Sequence, residues 1–119
     1  MLALNNLAWM LRERQPRRSL AYIRRAARLM PQEPMVLDSR AVIEHLNGNS
    51  VQAALVIQQA LKVDPDNPSL LYHQAMIRAA AGATEQARSQ LEQVLAGHAE
   101  AFPEREEAVA LLSSLQGGG

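Results

Sequence analysis

Apolar residues recur three and four positions apart along most of the chain, as at Leu4, Leu7, Ala8 and Leu11 near its start. That spacing places them on one side of an α-helix, and breaks at Pro and Gly divide the pattern into segments. The segments predict seven helices. Their predicted ranges are 2–14, 17–30, 34–47, 50–63, 68–81, 84–96 and 103–115.

The segments repeat with a period of 34 residues. A shift of 34 superposes proline, glycine and small residues as well as leucines, which is hard to obtain by chance in a chain rich in Ala and Leu. The matched pairs are Pro31 with Pro65, Pro34 with Pro68, Leu37 with Leu71, Ala41 with Ala75, Gly48 with Gly82, Ala53 with Ala87 and Leu61 with Leu95. Each repeat is therefore predicted to be a helical hairpin, and the first hairpin is one residue shorter than the others.

The residues between the predicted helices are of types that end one helix and begin the next. Gly48 and Gly82 supply the left-handed residue that ends a helix, and Asn49 with Gln52 has the spacing of a capping box. The small residues, such as Ala41 and Ala53, are predicted to lie where the two helices of a hairpin cross. A single hairpin cannot bury its own apolar stripe, so stability is expected to come from the stacking of neighbouring hairpins.

These residues resemble the tetratricopeptide repeat (TPR) over about residues 2–97. The second unit departs from the pattern at Arg40 and Glu44 and the third at Gln74 and Arg78, where Leu and an aromatic residue are usual. The resemblance implies an all-α, right-handed α-solenoid of three hairpins plus a capping helix. Two strings, ALNNLAW and AFPEREEAVALL, also resemble the C-terminal repeats of bacterial TPR lipoproteins associated with exosortase and exopolysaccharide export.

TPR proteins typically bind a peptide or partner helix in a concave groove lined by the first helix of each hairpin. The resemblance implies these groove positions in this sequence: Leu2, Asn5, Trp9, Arg12, Met35, Asp38, Val42, His45, Ser69, Tyr72 and Met76. Thioethers adapt to varied ligand shapes, so Met35 and Met76 suit such a lining. The alternative is that Trp9 packs against a preceding repeat and Met76 into the core.

One TPR binding mode holds a peptide's terminal carboxylate with Lys, Arg and Asn. The corresponding positions here are Asn5, Trp9, Ser39, Ser69 and His73, so the cationic clamp is absent. The groove asparagines of sugar-transferase TPR arrays are represented by Asn6 alone.

Charge is balanced in total, with 12 basic and 12 acidic side chains, but not in position. Residues 1–28 hold seven Arg and one Glu. A possible basic docking face on the second helix consists of Arg17, Arg18, Arg24, Arg25 and Arg28. The favoured interpretation of this face is a solvated outer surface. The second interpretation is a site for head-to-tail self-association or for docking on an acidic partner. Nucleic acid is disfavoured because no aromatic or Gly-rich pattern accompanies the arginines.

Composition excludes several other classes of protein. With 20 Ala, 17 Leu and only 12 Val, Ile and Thr together, an all-β fold is excluded. The chain has no cysteine, hence no disulfide and no thiolate site. No second metal ligand lies at helical spacing from His45, His73 or His98, and the sequence contains no Gly-rich phosphate-binding loop. No catalytic residue, metal or cofactor is predicted, and neither is membrane insertion.

The sequence therefore predicts a non-catalytic protein-interaction module that binds a peptide or partner helix, as part of a larger bacterial assembly or an exopolysaccharide-export type system. The alternative is a structural spacer or cap at the end of a longer TPR array. One domain is expected over 1–116, with units at 1–33, 34–67 and 68–101 and a disordered tail at 117–119. The compartment is expected to be cytoplasmic, or periplasmic if the chain is a fragment of an exported lipoprotein.

Overall fold

The computed structural model describes residues 2–98 and 102–117. Within those ranges it contains seven α-helices and no strand, so the predicted all-α class is confirmed. The helices are α1 (Leu2–Leu11), α2 (Pro16–Leu29), α3 (Pro34–Leu46), α4 (Ser50–Val63), α5 (Pro68–Ala80), α6 (Thr84–Gly97) and α7 (Arg105–Gly117). They form hairpin 1 (α1 and α2), hairpin 2 (α3 and α4) and hairpin 3 (α5 and α6), followed by α7.

Two compact units make up the chain, unit 1 over Met1–Asp64 and unit 2 over Pro65–Gly119. Unit 1 contains hairpins 1 and 2, with α2 packed on α3 and α1 also in contact with α3. Unit 2 contains hairpin 3 with α7 packed on α6. The single domain predicted over 1–116 stays a prediction.

The small residues that the repeat places at the predicted helix crossings are buried. Ala8, Ala41 and Ala75 on the first helices of the three hairpins are fully buried, and so are Ala53 and Ala87 on second helices. The core cluster around Ala8 joins hairpins 1 and 2, and it includes Ile23 and Ala26 of α2 with Val36 and Ile43 of α3. A side chain without a γ-carbon at the crossing lets the helix backbones approach each other, and the larger neighbours fill the flanking space.

Glycines and caps set the helix ends. Gly48 and Gly82 have φ of 82° and 89°, which confirms their predicted left-handed conformation. At the start of α5, the Asn67 side chain accepts hydrogen bonds from the backbone N–H groups of Ser69 and Leu70, at 2.9 and 3.4 Å. Asn67 therefore satisfies two of the N–H groups that a helix start leaves unpaired.

The predicted cap at Asn49 is wrong. Asn49 occupies the N-cap position of α4 but makes no side-chain capping bond. Its Nδ2 instead donates to Glu44 Oε1 at 2.8 Å. A buried carboxylate competes successfully for the amide because an unsatisfied buried charge costs more than an uncapped, solvated helix end.

Three helix ends differ from the predictions by two residues or more, and the other differences are of one residue. α1 ends at Leu11 rather than residue 14, and the chain turns after it with Arg12 Nη1 donating to the Trp9 carbonyl oxygen at 2.8 Å. α7 begins at Arg105 rather than Pro103, because Arg105 N–H bonds Phe102 in a tight first turn. α7 also continues through Gly117, so the predicted disordered tail is wrong at that residue. Gly118 and Gly119 lie outside the described residues.

Candidate partner-binding surface

The predicted groove residues of unit 1 lie on α1 and α3, which pack against each other. The surface that these two helices share is called the α1–α3 face below. Its partly exposed members are Trp9, Arg12, Asp38 and His45, and its most exposed member is Met35, at 52 %. These five side chains can reach a bound partner.

Three predicted lining residues are buried, and their assignment to an open surface is corrected. Asn5 is 3 % exposed, Val42 6 % and Tyr72 9 %. Asn5 lies three residues before the buried Ala8, on the same side of α1. Val42 is itself buried, so both side chains contribute to helix packing. Asn5 Oδ1 has no hydrogen-bond partner among the described residues.

Trp9 and Arg12 form a fixed pair on the α1–α3 face. The Arg12 guanidinium carbon lies 3.9 Å from the centre of the Trp9 ring, and its Nη1 donates to the Trp9 carbonyl oxygen. This cation–π contact covers part of the ring and holds the guanidinium in place. A guanidinium carries five N–H donors, so most of the donors of Arg12 remain available for a carbonyl or carboxylate of a partner.

In unit 2, α7 packs against Tyr72, one of the predicted lining residues of α5. Tyr72 belongs to a core cluster with Ala75, Leu91 and Ala108, and Leu111 packs against the same cluster. Burial, together with the charges of Glu107 and Glu104, raises the pKa of the Tyr72 hydroxyl.

Two further predicted groove positions lie beside Tyr72. Ser69 donates a hydrogen bond to Glu104, and Met76 remains partly exposed. On α5, therefore, the chain's own C-terminal segment occupies much of the predicted lining.

The departures from the TPR pattern in unit 1 build a buried charged network. Glu44 is fully buried and accepts hydrogen bonds from Arg24 at 3.0 and 3.1 Å, from Arg40 at 3.2 Å and from Asn49. Burial alone raises the pKa of a carboxyl group. The bonds from Arg24, Asn49 and Arg40 and the charge of Arg24 outweigh burial and hold the pKa of Glu44 below its ordinary value.

Hairpin 3 places a polar network at the equivalent positions with the charge reversed. Arg78 takes the position of Glu44, and its Nη1 donates to Gln90 Oε1 at 2.9 Å. Gln90 Nε2 in turn donates to Gln74 Oε1 at 2.7 Å. In the sequence, Arg40, Glu44, Gln74 and Arg78 stand out only as departures from the TPR pattern. The signal that could have revealed the networks is their shared spacing of four residues, which brings side chains together on one side of a helix.

The predicted basic docking face is partly used within unit 1. Arg24 pairs with Glu44, and Arg18 donates to Gln15 and to the Tyr22 hydroxyl. Arg17, Arg25 and Arg28 are exposed. Arg24 is therefore a structural residue, whereas the other arginines remain on the surface of α2.

Two cavities lie away from the predicted groove residues. One, of about 680 Å³ in unit 2, has Leu71, Gln93 and Gly97 in its wall. The other, of about 420 Å³ in unit 1, has Leu37, Gln59 and Val63 in its wall. Those two sets are equivalent under the 34-residue shift, so the two cavities occupy equivalent positions in successive repeats.

The described residues give no evidence of a metal or membrane site. Over 2–98 and 102–117 no group of three or more His, Asp or Glu side chains could hold a metal ion. Within the same ranges no helix has the length and apolarity to cross a bilayer.

Comparison with known proteins identifies the fold. No protein-family model and no curated protein matches the chain. Among solved structures, it is similar to the first TPR domain of the human RPAP3 protein, with a TM-score of 0.81 and 16% identity over 97% of this chain and 88% of that chain. The first TPR of Spaghetti (RPAP3), bound to the HSP90 peptide SRMEEVD, has a TM-score of 0.80 and 16% identity over 98% and 93%.

A bacterial structure is similar to the same extent. The Yersinia enterocolitica type III secretion chaperone SycD, in complex with a peptide of the translocator YopD, has a TM-score of 0.78 and 14% identity over 96% of this chain and 90% of that chain. The chain therefore has the TPR fold, and the fold that the 34-residue pattern predicted is confirmed. The resemblance to exopolysaccharide-export lipoproteins stays a prediction.

Proposed function

We propose that the chain is a non-catalytic protein-interaction module that binds a short peptide segment or partner helix on the α1–α3 face of unit 1. The observation that carries the proposal is the pair formed by partly exposed Trp9 and Arg12 on the same face as exposed Met35. Aromatic and Arg side chains dominate the energetics of protein interfaces. Similar folds bound to peptides support this function.

The chemistry of the face indicates the kind of segment it would take. The Trp9 ring on α1 and the Met35 thioether on α3 each offer an apolar surface against which an aliphatic side chain would pack. Arg12 lies beside the ring and can donate to a carbonyl or carboxylate group of the same segment. The proposed ligand therefore has an aliphatic residue close to an acidic one. We further propose, from the resemblance of the two short strings alone, that this interaction serves a larger bacterial assembly.

A selection of random linear peptides displayed on phage, made against the immobilised chain, tests the proposal. Trp9 is the only tryptophan, so its fluorescence reports directly on the α1–α3 face when a selected peptide is titrated. We expect Met35→Ala to weaken binding about tenfold, as truncation of a central contact does. The matched control is Leu55→Ala, which removes an equally exposed aliphatic side chain from α4 of the same unit.

Two results would contradict the proposal. In one, no peptide is enriched, which leaves the alternative of a structural spacer or cap. In the other, peptides bind with unchanged Trp9 emission and with equal affinity for both variants, which places the binding surface elsewhere on the chain.

A further inference from the structure

Hairpin 1 exposes an edge that its counterpart in hairpin 2 buries. Ala3, Asn6 and Met10 on α1 are equivalent to Val36, Ser39 and Ile43 on α3, since the shorter first hairpin makes this shift 33 residues. The three residues of α3 are buried, with Ile43 at 0 % exposure. Met10, in contrast, is 74 % exposed.

The second helix of hairpin 1 extends the same edge. Arg25 and Leu29 of α2 are equivalent to Gln59 and Val63 of α4 under the 34-residue shift. Gln59 and Val63 line a cavity together with Ala27 of α2, so they point back towards the preceding hairpin. By equivalence, Arg25 and Leu29 lie on the side of hairpin 1 that no other hairpin of unit 1 covers, and both are exposed.

This edge, defined by Ala3, Met10, Arg25 and Leu29, has the composition of a helix-packing surface with a basic border. Met10 and Leu29 provide apolar area that is 74 % and 53 % exposed. Arg24, one residue before Arg25 and about 100° round the helix, points instead to α3, where it pairs with Glu44. A covering helix would therefore meet apolar side chains and the charge of Arg25.

The outer side of α7 has the complementary composition. Its inner side packs through Ala108, Leu111, Leu112 and Leu115. The residues left exposed are small, polar or acidic apart from one valine: Glu106, Glu107, Val109, Ala110, Ser113, Ser114, Gln116 and Gly117. Small side chains permit close approach of another helix, and the two carboxylates can pair with an arginine.

Net charge favours the same contact. Unit 1 holds nine basic and five acidic residues, and unit 2 holds three basic and seven acidic residues. Opposite net charges on the two units of one neutral chain attract unit 1 of one copy to unit 2 of another. Since the two surfaces differ, the contact is heterologous and can recur from copy to copy.

We propose that the chain self-associates head to tail, with the outer side of α7 of one copy covering the edge of Met10, Arg25 and Leu29 on a second copy. This contact uses neither Trp9 nor Met35. It therefore stands independently of the proposed peptide-binding function.

Sedimentation velocity of the whole chain over a range of concentrations tests the proposal. At low salt we expect a weight-average mass above the 13.1 kDa of one chain, rising with concentration. Raising the ionic strength to about 0.15 M, where the screening length is about 8 Å, should lower it. Arg25→Glu, or Glu106→Arg with Glu107→Arg, should raise the dissociation constant about tenfold, and combining Arg25→Glu with both reversals on α7 should restore association.

Arg17→Glu is the matched control. It makes the same charge change on α2, but Arg17 lies within about 20° of Arg24 round the helix, on the side facing α3. The proposal would be contradicted if Arg17→Glu and Arg25→Glu weakened self-association equally. It would also be contradicted if Arg25→Glu weakened self-association while the charge reversals on α7 had no effect. A mass of one chain at every concentration and salt would overturn it and assign the edge to a different protein.

Discussion

Arg24 on α2 and Glu44 on α3 form a two-point ion pair, with Nε 3.1 Å from Oε2 and Nη2 3.0 Å from Oε1. Glu44 is fully buried, whereas the Arg24 side chain is 45 % exposed. The pair therefore joins hairpins 1 and 2 through one carboxylate that depends entirely on protein donors and one guanidinium that water still reaches.

Glu44→Gln should destabilise unit 1 by about 2 kcal/mol, because charge-assisted hydrogen bonds from Arg24 and Arg40 are replaced by weaker ones in a buried setting. Urea unfolding followed by circular dichroism measures the change, since this signal reports on the helices of both units. Glu85→Gln is the control. Glu85 pairs with Arg88 but is 78 % exposed, so its loss should cost less than about 0.5 kcal/mol. Equal losses for the two variants would refute the structural role of Glu44.

Acid should reduce the stability of unit 1 through the same carboxylate. The pKa of Glu44 is lowered in the folded chain, so its contribution is present above the ordinary value of 4.5 and is lost as the pH falls through the lower folded value. We expect the free energy of unfolding to fall less steeply with decreasing pH in Glu44→Gln than in the wild type below pH 4.5. Parallel pH profiles for the two proteins would show that Glu44 does not carry this dependence.

Gly48→Ala and Gly82→Ala should each cost about 1 kcal/mol of stability, because both residues have positive φ, a conformation that a β-carbon disfavours. Nothing lies within 4 Å of a β-carbon added at either position, so strain in the backbone is the expected cause rather than a clash. Gly97→Ala is the control, since Gly97 is helical and equally open. Its stability should stay the same or rise. Thermal unfolding followed by circular dichroism distinguishes these outcomes.

The peptide SRMEEVD, which the first TPR of Spaghetti (RPAP3) binds, should not bind this chain. The positions that the TPR resemblance assigns to a carboxylate clamp contain no Lys or Arg, and Asn5, Ser39 and His73 among them are buried. Ser69 donates to Glu104, whose negative charge would repel a carboxylate. Titration followed by Trp9 emission and calorimetry should show no saturable signal, with the Spaghetti domain as positive control. Saturable binding would mean that other residues replace the clamp.

Local chemistry made most of the fold predictable. Pro34 and Pro68 begin helices as expected, and Gly48 and Gly82 end them, because these residues restrict or permit backbone angles whatever surrounds them. Such constraints act within a few residues, so the sequence reports them directly. The fully buried alanines were predictable for a related reason, since the repeat places them at the same point of every hairpin.

Long-range contacts were not predictable in the same way. Asn49 has the sequence context of a helix cap, yet its amide bonds Glu44, which is itself held by Arg24 from the preceding hairpin. Tyr72 fits a groove position by its spacing, but α7 packs against it more than thirty residues later in the chain. In both cases the deciding partner is distant in sequence, and periodicity alone does not identify it.

The unlike networks of hairpins 2 and 3 restrict how these repeats can be rearranged. A tandem duplication of hairpin 2 would place Gln58, the equivalent of Arg24, beside the second copy of Glu44. The duplicated carboxylate would then lack its two-point partner and would destabilise the junction. The hairpins share a backbone plan but are not interchangeable modules: the buried carboxylate of hairpin 2 requires Arg24 of hairpin 1 beside it, so the order of these two hairpins is encoded in their side chains.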